Sequence, residues 1–328
     1  MKNMYKAMAI FFAVFILGFA AAMLILPDRT FSERERRNLA QAPEFSLEAL
    51  FSGEWIEDFE TYADDQMPLR ETFMDIKGLS EQVLQKKEGG GYYYGQDGRI
   101  LEGLRFKEDR FAANLYAADR LQENWDGELY IVAIPTGGGV YPHLLPAGAP
   151  VDDQGGMIAW LGDRYGKENV ADVAGLLTEK QDEPIYFRLD HHTTQLGAYY
   201  TYAAAGDVLG YTPAPLSDFR TEVGTEDFRG TYYAAAGMPM HKGETLELFY
   251  PKEGDWQLSV EIVDDGRVLD GPYAKERLDT YDPYAVYLDG NYACQIVRSG
   301  AKGGKLMLIK DSYAHAAVPF LSQHFGEI

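Results

Sequence analysis

The sequence predicts an α/β protein with a mostly parallel sheet, a β-rich insertion at about 212–300, and one N-terminal transmembrane helix. Three observations carry that prediction. Residues 7–26, AMAIFFAVFILGFAAAMLIL, run without a charge; as a helix rising about 1.5 Å per residue they cover a hydrocarbon core of roughly 30 Å. Beyond them, apolar runs suited to buried strands alternate with helical segments: ELYIVAIP at 128–135, PIYFRLD at 184–190 and GKLMLIK at 304–310. That rhythm is the mark of a sheet built from βα units. Between about 212 and 300 the texture turns to strand-like runs with Asp-Gly turn signals.

In chain order, residues 1–27 read as a membrane anchor. The alanines at 20–22 suit signal cleavage, but the apolar run continues to Pro27, so an uncleaved anchor is expected. Lys2 and Lys6 precede the segment and Arg29, Arg34, Arg36 and Arg37 follow it, so the positive charges do not point the following domain outward. Residues 28–45 form a polar stalk, and 46–328 form the folded domain. Ser46 opens an amphipathic helix to Asp65, and Pro68 suits the first turn of another, to Lys87. Glycines at 89–91 and the QDG at 96–98 predict a hairpin. Helices are expected over 108–125, 157–166, 174–180, 194–211 and 312–325, with a short strand at 170–173. Further strands are expected over 245–250, 256–269 and 284–297, turned by Asp265-Gly266 and Asp289-Gly290.

The chain has 328 residues, 46% hydrophobic and 25% charged, and a formal charge of −21. An excess of acid excludes nucleic acid as a partner, because phosphate-backbone binding draws on clustered Lys and Arg. The 23 Tyr, 17 Phe and 4 Trp leave material for stacking on sugars. With Cys294 as the single cysteine, no intrachain disulfide forms.

The chemistry concentrates in FRLDHHTTQLGAYY, residues 187–200. Asp190 and His192 sit at the C-terminal end of a predicted strand, where open α/β sheets collect their sites. On an extended backbone, residues two apart share a face, so Asp190 and His192 approach one another and His191 points away. A carboxylate beside an imidazole fixes its tautomer and stabilises the imidazolium. The nucleophile to match is Ser312, which follows an apolar strand and opens a helix. Cys294 lies inside an alternating pattern and reads as a small buried thiol. Two other readings stand beside this one. Asp190 and Ser312 can be strand-end and helix-start residues only. Alternatively, Asp190, His191, His192, His315 and His324 offer the oxygen and nitrogen ligands that zinc accepts, although no HExxH spacing is present. His143 and His241 have no evident partners. Asp64 and Asp65 could pair for glycoside cleavage, and the YYYG at 92–95 could stack on sugar. No metal and no cofactor is expected.

At LDHHT and KDSYAHAAVPFL the chain resembles the DHHW family of bacterial membrane-anchored proteins, related to AlgJ- and AlgX-type alginate O-acetylation proteins and so to SGNH hydrolases. The resemblance extends through the stalk, YADDQMPLRE at 62–71, YYYGQDGRIL at 92–101 and IPTGGGVYPHLLP at 134–146. It implies a three-layer SGNH-hydrolase-like domain in which Ser312 is the nucleophile, His192 its general base and Asp190 the group that orients His192. It also implies acyl transfer onto exported or cell-envelope polysaccharide. A membrane-bound O-acyltransferase is the implied partner, and the domain would lie on the extracytoplasmic side of a single-pass cell-membrane anchor. Esterase action, or glycan binding without turnover as part of an O-acetylation system, are the other outcomes it leaves open. The chain departs from the family pattern in having Thr193 where the motif ends in Trp, and Lys310 where the SGNH block has Gly. The resemblance implies that the Gly and Asn completing an SGNH oxyanion hole follow Ser312; with only 16 residues after it, the expectation is either that the domain is truncated at Ile328 or that the oxyanion hole is built differently.

Overall fold

The computed structural model describes residues 2–89, 91–103, 105–236, 242–254 and 256–328. Their contacts fall into two compact units, residues 2–84 and residues 85–328. His241 lies outside the described residues.

The first unit opens with α1 (Lys2–Ile25), a helix long and apolar enough over Asn3–Ile25 to cross a membrane. A two-residue antiparallel pair follows, β1 (Phe31–Ser32) with β2 (Arg37–Asn38). The helix expected over 46–65 is two helices, α2 (Leu47–Ser52) and α3 (Glu54–Asp65). They break at Gly53, whose φ of 90° is open to glycine and strained for other residues. Ser46 caps α2 by accepting the Ala49 N–H at 3.0 Å. The next helix, α4 (Arg70–Val83), starts two residues after Pro68. Asp65, weighed with Asp64 as a carboxylate pair, is buried and bonded within this unit. It receives two bonds from the Arg37 guanidinium, at 2.8 and 2.5 Å, and one from the Ala40 N–H at 2.8 Å. The Arg37 hydrogen bond outweighs burial and lowers this carboxyl to about 2.

The second unit starts with a three-stranded antiparallel ribbon, β3 (Glu88–Gly89), β4 (Tyr92–Tyr94) and β5 (Ile100–Glu102). The predicted turn forms at Gln96–Gly98, with Asp97 at φ 60°. Four helices come next: α5 (Glu108–Asn124), the short α6 (Gly137–Val140), α7 (Gln154–Tyr165) and α8 (Val173–Glu179). After them comes α9 (Gln195–Leu209), whose residues are mostly buried. The β-rich stretch holds two antiparallel sheets. In one, β6 (Phe219–Phe228) is followed by α10 (Thr231–Ala236) and pairs with β7 (Glu244–Pro251). In the other, β8 (Leu258–Ile262) is flanked by β9 (Arg267–Asp270) and β10 (Gln295–Ser299). Asp265-Gly266 turns β8 into β9 as expected. The segment from Pro283 to Val286 is a 3₁₀ turn instead of a strand. The C-terminal helix predicted from Ser312 is a 3₁₀ turn, Ser312–Ala317, running into α11 (Val318–Leu321).

The mostly parallel sheet is not found: among the described residues, all pairings of named strands are antiparallel. The three apolar runs that suggested it make no ladder with one another. Ile131 forms one parallel bridge with Val170, and Lys305 one with Glu327. Residues 185–194 close on themselves instead, with an antiparallel Tyr186–Thr193 bridge and a Thr194 N–H to Ile185 carbonyl bond of 3.0 Å. An apolar run reports burial, and its backbone groups can be satisfied locally as well as by a parallel neighbour.

One aromatic core surrounds α9, with Tyr199, Tyr202, Phe219 and Phe320. A second holds Phe187, Phe228, Leu246, Leu248, Tyr287 and Ala316. This second core grips both the 187–192 loop and the turn after Ser312. The two are tied by a buried Gln195. Its amide donates to the Tyr273 hydroxyl at 2.7 Å and accepts the Phe249 N–H at 2.8 Å, while Tyr273 donates to the Phe249 carbonyl at 2.6 Å. Each buried polar atom of that network therefore has a partner.

Candidate active site

The loop at 188–192 is pinned from three sides. Arg188 and Leu189 donate their N–H groups to the Glu244 carboxylate of β7, at 2.8 and 2.7 Å. The Ile100 N–H of β5 donates to the Arg188 carbonyl at 2.8 Å, and the Tyr233 N–H of α10 to the Leu189 carbonyl at 3.0 Å. Residues 188–192 follow a bend in place of the expected extended strand. One consequence corrects the sequence reading of His191. Its ring does not point away but lies 3.8 Å, centroid to centroid, from that of His192.

Asp190 is 1% exposed, and its carboxylate is fully engaged. One oxygen accepts the His192 N–H at 2.9 Å and His192 Nδ1 at 2.5 Å; the other accepts the Thr231 N–H at 2.7 Å. Burial alone would raise the Asp190 pKa. The charge and hydrogen bonds of His192, the charge of His191 and the Thr231 amide instead hold it well below the usual carboxylate range. An ionised carboxylate only accepts, so Nδ1 carries a proton, and in the neutral imidazole it is Nε2 that presents a lone pair. That lone pair faces Ser312 Oγ at 2.8 Å. The structure thus brings Asp190, His192 and Ser312 together in hydrogen-bonded sequence, although 120 positions separate the His from the Ser.

Ser312 is half-buried at the first position of its 3₁₀ turn, where the Asp311 carboxylate accepts the Tyr313 N–H at 3.0 Å. Ala316 and Phe320, each 1% exposed or less, anchor the segment in the two cores. An arrangement of this kind can deprotonate a hydroxyl as it attacks an electrophile and return the proton to a leaving group.

The five residues considered as metal ligands do not converge. Asp190, His191 and His192 offer ligand atoms within 4.8 Å of one another, yet the Asp190 oxygens and both His192 nitrogens are held by the bonds above. His324 bonds the Tyr202 hydroxyl at 2.7 Å and stacks on Tyr211 at 4.2 Å, within the aromatic core. His315 is 1% exposed, with neither ring nitrogen hydrogen-bonded. Burial, with the charges of Lys310 and His192, lowers it to about 3. Cys294 is exposed and not buried as its strand pattern suggested.

Three contributors gave no usable signal in the sequence. Tyr284 stacks on the His192 ring at 3.7 Å and 9° and supplies an aromatic wall to the imidazole. Thr231 donates to Asp190 across 41 positions. Gly230 lies so close that a Cβ there would collide with the Asp190 side chain. All three come from the stretch read as an insertion, whose alternating pattern reports strands and not what the loops between them touch.

Residues 164–328, half of the chain and the half that holds this cluster, match the family model described as DHHW protein, and the chain belongs to that family. Among solved structures it is similar to a DHHW family protein from Eubacterium siraeum, at 24% identity over 73% of this chain and 82% of that one, with a TM-score of 0.59. It is also similar to Bacillus cereus PatB1, at 21% identity over 70% of this chain and 84% of that one, with a TM-score of 0.52. PatB1 with a sulfonyl adduct matches at 20% identity over 71% and 83%, with a TM-score of 0.53. These likenesses establish a shared mixed α/β fold. The chain matches none of the curated proteins in sequence.

Proposed function

We propose that this member of the DHHW family is a membrane-anchored acyltransferase or esterase that moves acetyl groups on cell-surface or exported polysaccharide through Ser312, His192 and Asp190. The observation that carries the reading is the continuous hydrogen-bonded path from the Asp190 carboxylate through His192 to Ser312 Oγ, at 2.5 and 2.8 Å. As Ser312 Oγ bonds to the acyl carbon of a donor, its proton passes to His192 Nε2 and Asp190 stabilises the imidazolium. The donor's leaving group departs with that proton and an acyl-enzyme remains. A sugar hydroxyl or water then attacks, with His192 acting as base a second time. The apolar helix α1 supports anchoring, and the family resemblance supports an extracytoplasmic site beside a membrane-bound O-acyltransferase. The PatB1 sulfonyl adduct adds a reagent: a sulfonyl fluoride should modify Ser312 here.

The test is release of nitrophenol from p-nitrophenyl acetate by the full-length chain in detergent micelles. Ser312→Ala should lower the rate by at least about 10³-fold. Equal release by the two proteins would remove Ser312 from the chemistry and leave glycan binding without turnover.

A further inference from the structure

Helix α4 of the first unit presents its apolar face outward. Leu69, just ahead of the first turn, and then Phe73, Ile76 and Val83 fall on one side at helical spacing. They are 66%, 37%, 57% and 75% exposed. The opposite side is polar and engaged by the protein: Glu81 is buried, the Glu71 carboxylate accepts from Arg29 at 2.8 Å, and the Asp75 carboxylate accepts from Arg34 at 2.5 Å. A surface helix facing water has the reverse arrangement. Within the apolar stripe, the Ser80 hydroxyl donates to the Lys77 carbonyl at 2.7 Å, so its hydrogen bond is made inside the helix, as a lipid-facing position requires.

The place of α4 along α1 says what this face meets. The Phe73 ring packs against that of Phe19 at 5.9 Å. Phe19, Ala22 and Met23, at helical spacing, are the half-buried side of the last turns of α1. Phe19 lies seven residues before Leu26, where the apolar run ends, which is about 10 Å of helix. Helices that lie in a bilayer interface sink their apolar face by roughly 5–10 Å. Polar contacts mark the boundary. Gln66, between α3 and α4, accepts the Arg29 N–H at 3.0 Å and donates to the Arg29 carbonyl at 2.9 Å, and the Tyr62 hydroxyl donates to Asp28 at 3.0 Å. Asp28 and Arg29 are the first charges after the apolar run, so Tyr62 and the Arg29–Glu71 pair stand where headgroups begin, a level that suits amphipathic tyrosine and arginine.

We propose that α4 is an interfacial helix whose Leu69, Phe73, Ile76 and Val83 face sits among the lipid acyl chains of the leaflet at the C-terminal end of α1. This rests on α1 spanning a membrane, as read above. The chain then holds the bilayer twice, once through α1 and once through α4. Because Glu71 and Asp75 engage Arg29 and Arg34, the second hold comes from the acyl chains and needs no anionic headgroup.

The experiment places single spin labels on the full-length chain carrying Cys294→Ala, reconstituted in phosphatidylcholine vesicles, at Leu17→Cys, Ile76→Cys, Val83→Cys and Glu123→Cys. Each of these positions is exposed in the fold, so a label displaces no packed side chain. Relaxation by oxygen, which concentrates in hydrocarbon, is compared with relaxation by a water-soluble nickel chelate. The oxygen-to-nickel ratio at Ile76→Cys and Val83→Cys should match Leu17→Cys and stand roughly tenfold above Glu123→Cys, since a polar chelate is excluded from hydrocarbon. An aqueous ratio at either α4 position, with Leu17→Cys in lipid, would overturn the interfacial helix and leave the anchor standing. A label at either position hidden from both reagents would overturn it as well, because protein and not lipid would then cover the face. An aqueous ratio at Leu17→Cys would sink the anchor and the interfacial helix together.

Discussion

At the scale of single residues, the geometry of the site depends on a carboxylate whose every contact is specified. Asp190 is buried against Gly230 and bonded to the amide that follows it, so the position admits no side chain at 230. Gly230→Ala should push the carboxylate off Nδ1 and lower turnover of p-nitrophenyl acetate by roughly 10²-fold, the cost of a displacement near 1 Å. Turnover within about twofold of the original would mean that the Asp190–His192 contact does not limit the reaction. The pair itself was legible, because a carboxylate and an imidazole two apart in LDHHT are an unusual conjunction. The role of Gly230 was not, since a glycine in sequence does not say what approaches it.

At the scale of elements, α9 gives the loop its footing. Thr194 caps that helix by accepting the Gly197 N–H at 3.2 Å and also donates to the Pro184 carbonyl at 2.6 Å. It therefore closes both ends of the segment that carries the reactive pair. Thr194→Ala should cost about 1 kcal/mol of stability, read as a shift in the denaturant midpoint. No change in the midpoint would show that the cap is replaced by water. Helix α9 was predicted over 194–211 and runs from Gln195 to Leu209, because a Thr before an apolar run and a Gly after it are local signals. The strands at 128–135 and 304–310 were overcalled, because pairing requires a neighbour whose position no local signal encodes.

At the scale of the whole molecule, acid should destabilise the second unit through His315. In the fold this histidine is held to about 3, against an ordinary value of 6.5. The unfolded chain takes up a proton below about 6.5 while the folded one stays neutral until about 3, so stability is full above 6.5 and falls as the pH descends through that window. The slope from this group is about 1.4 kcal/mol per pH unit. Thermal unfolding of His315→Leu between pH 7.5 and 4.5 should lose less stability than the unaltered chain over the same range. Parallel losses would place the acid sensitivity elsewhere. His315 was weighed in the sequence as a metal ligand; its burial became visible only when both cores closed around the Ser312 turn.

The sequence by itself determined the apolar helix at the N-terminus, the positions of most helices, the β-rich stretch, and the three residues of the proposed relay. All of these are written in short windows, as periodicity, caps, turn residues and adjacent functional groups, and local physics acts on such windows directly. Only the tertiary structure decided that the sheets are antiparallel, that the His191 ring lies against that of His192, and that Tyr284 covers the imidazole. The cover that Tyr284 gives the imidazole depends on surfaces meeting across scores of residues, and the others on how each loop and hairpin packs, where burial and hydrogen-bond satisfaction are settled for the whole fold at once.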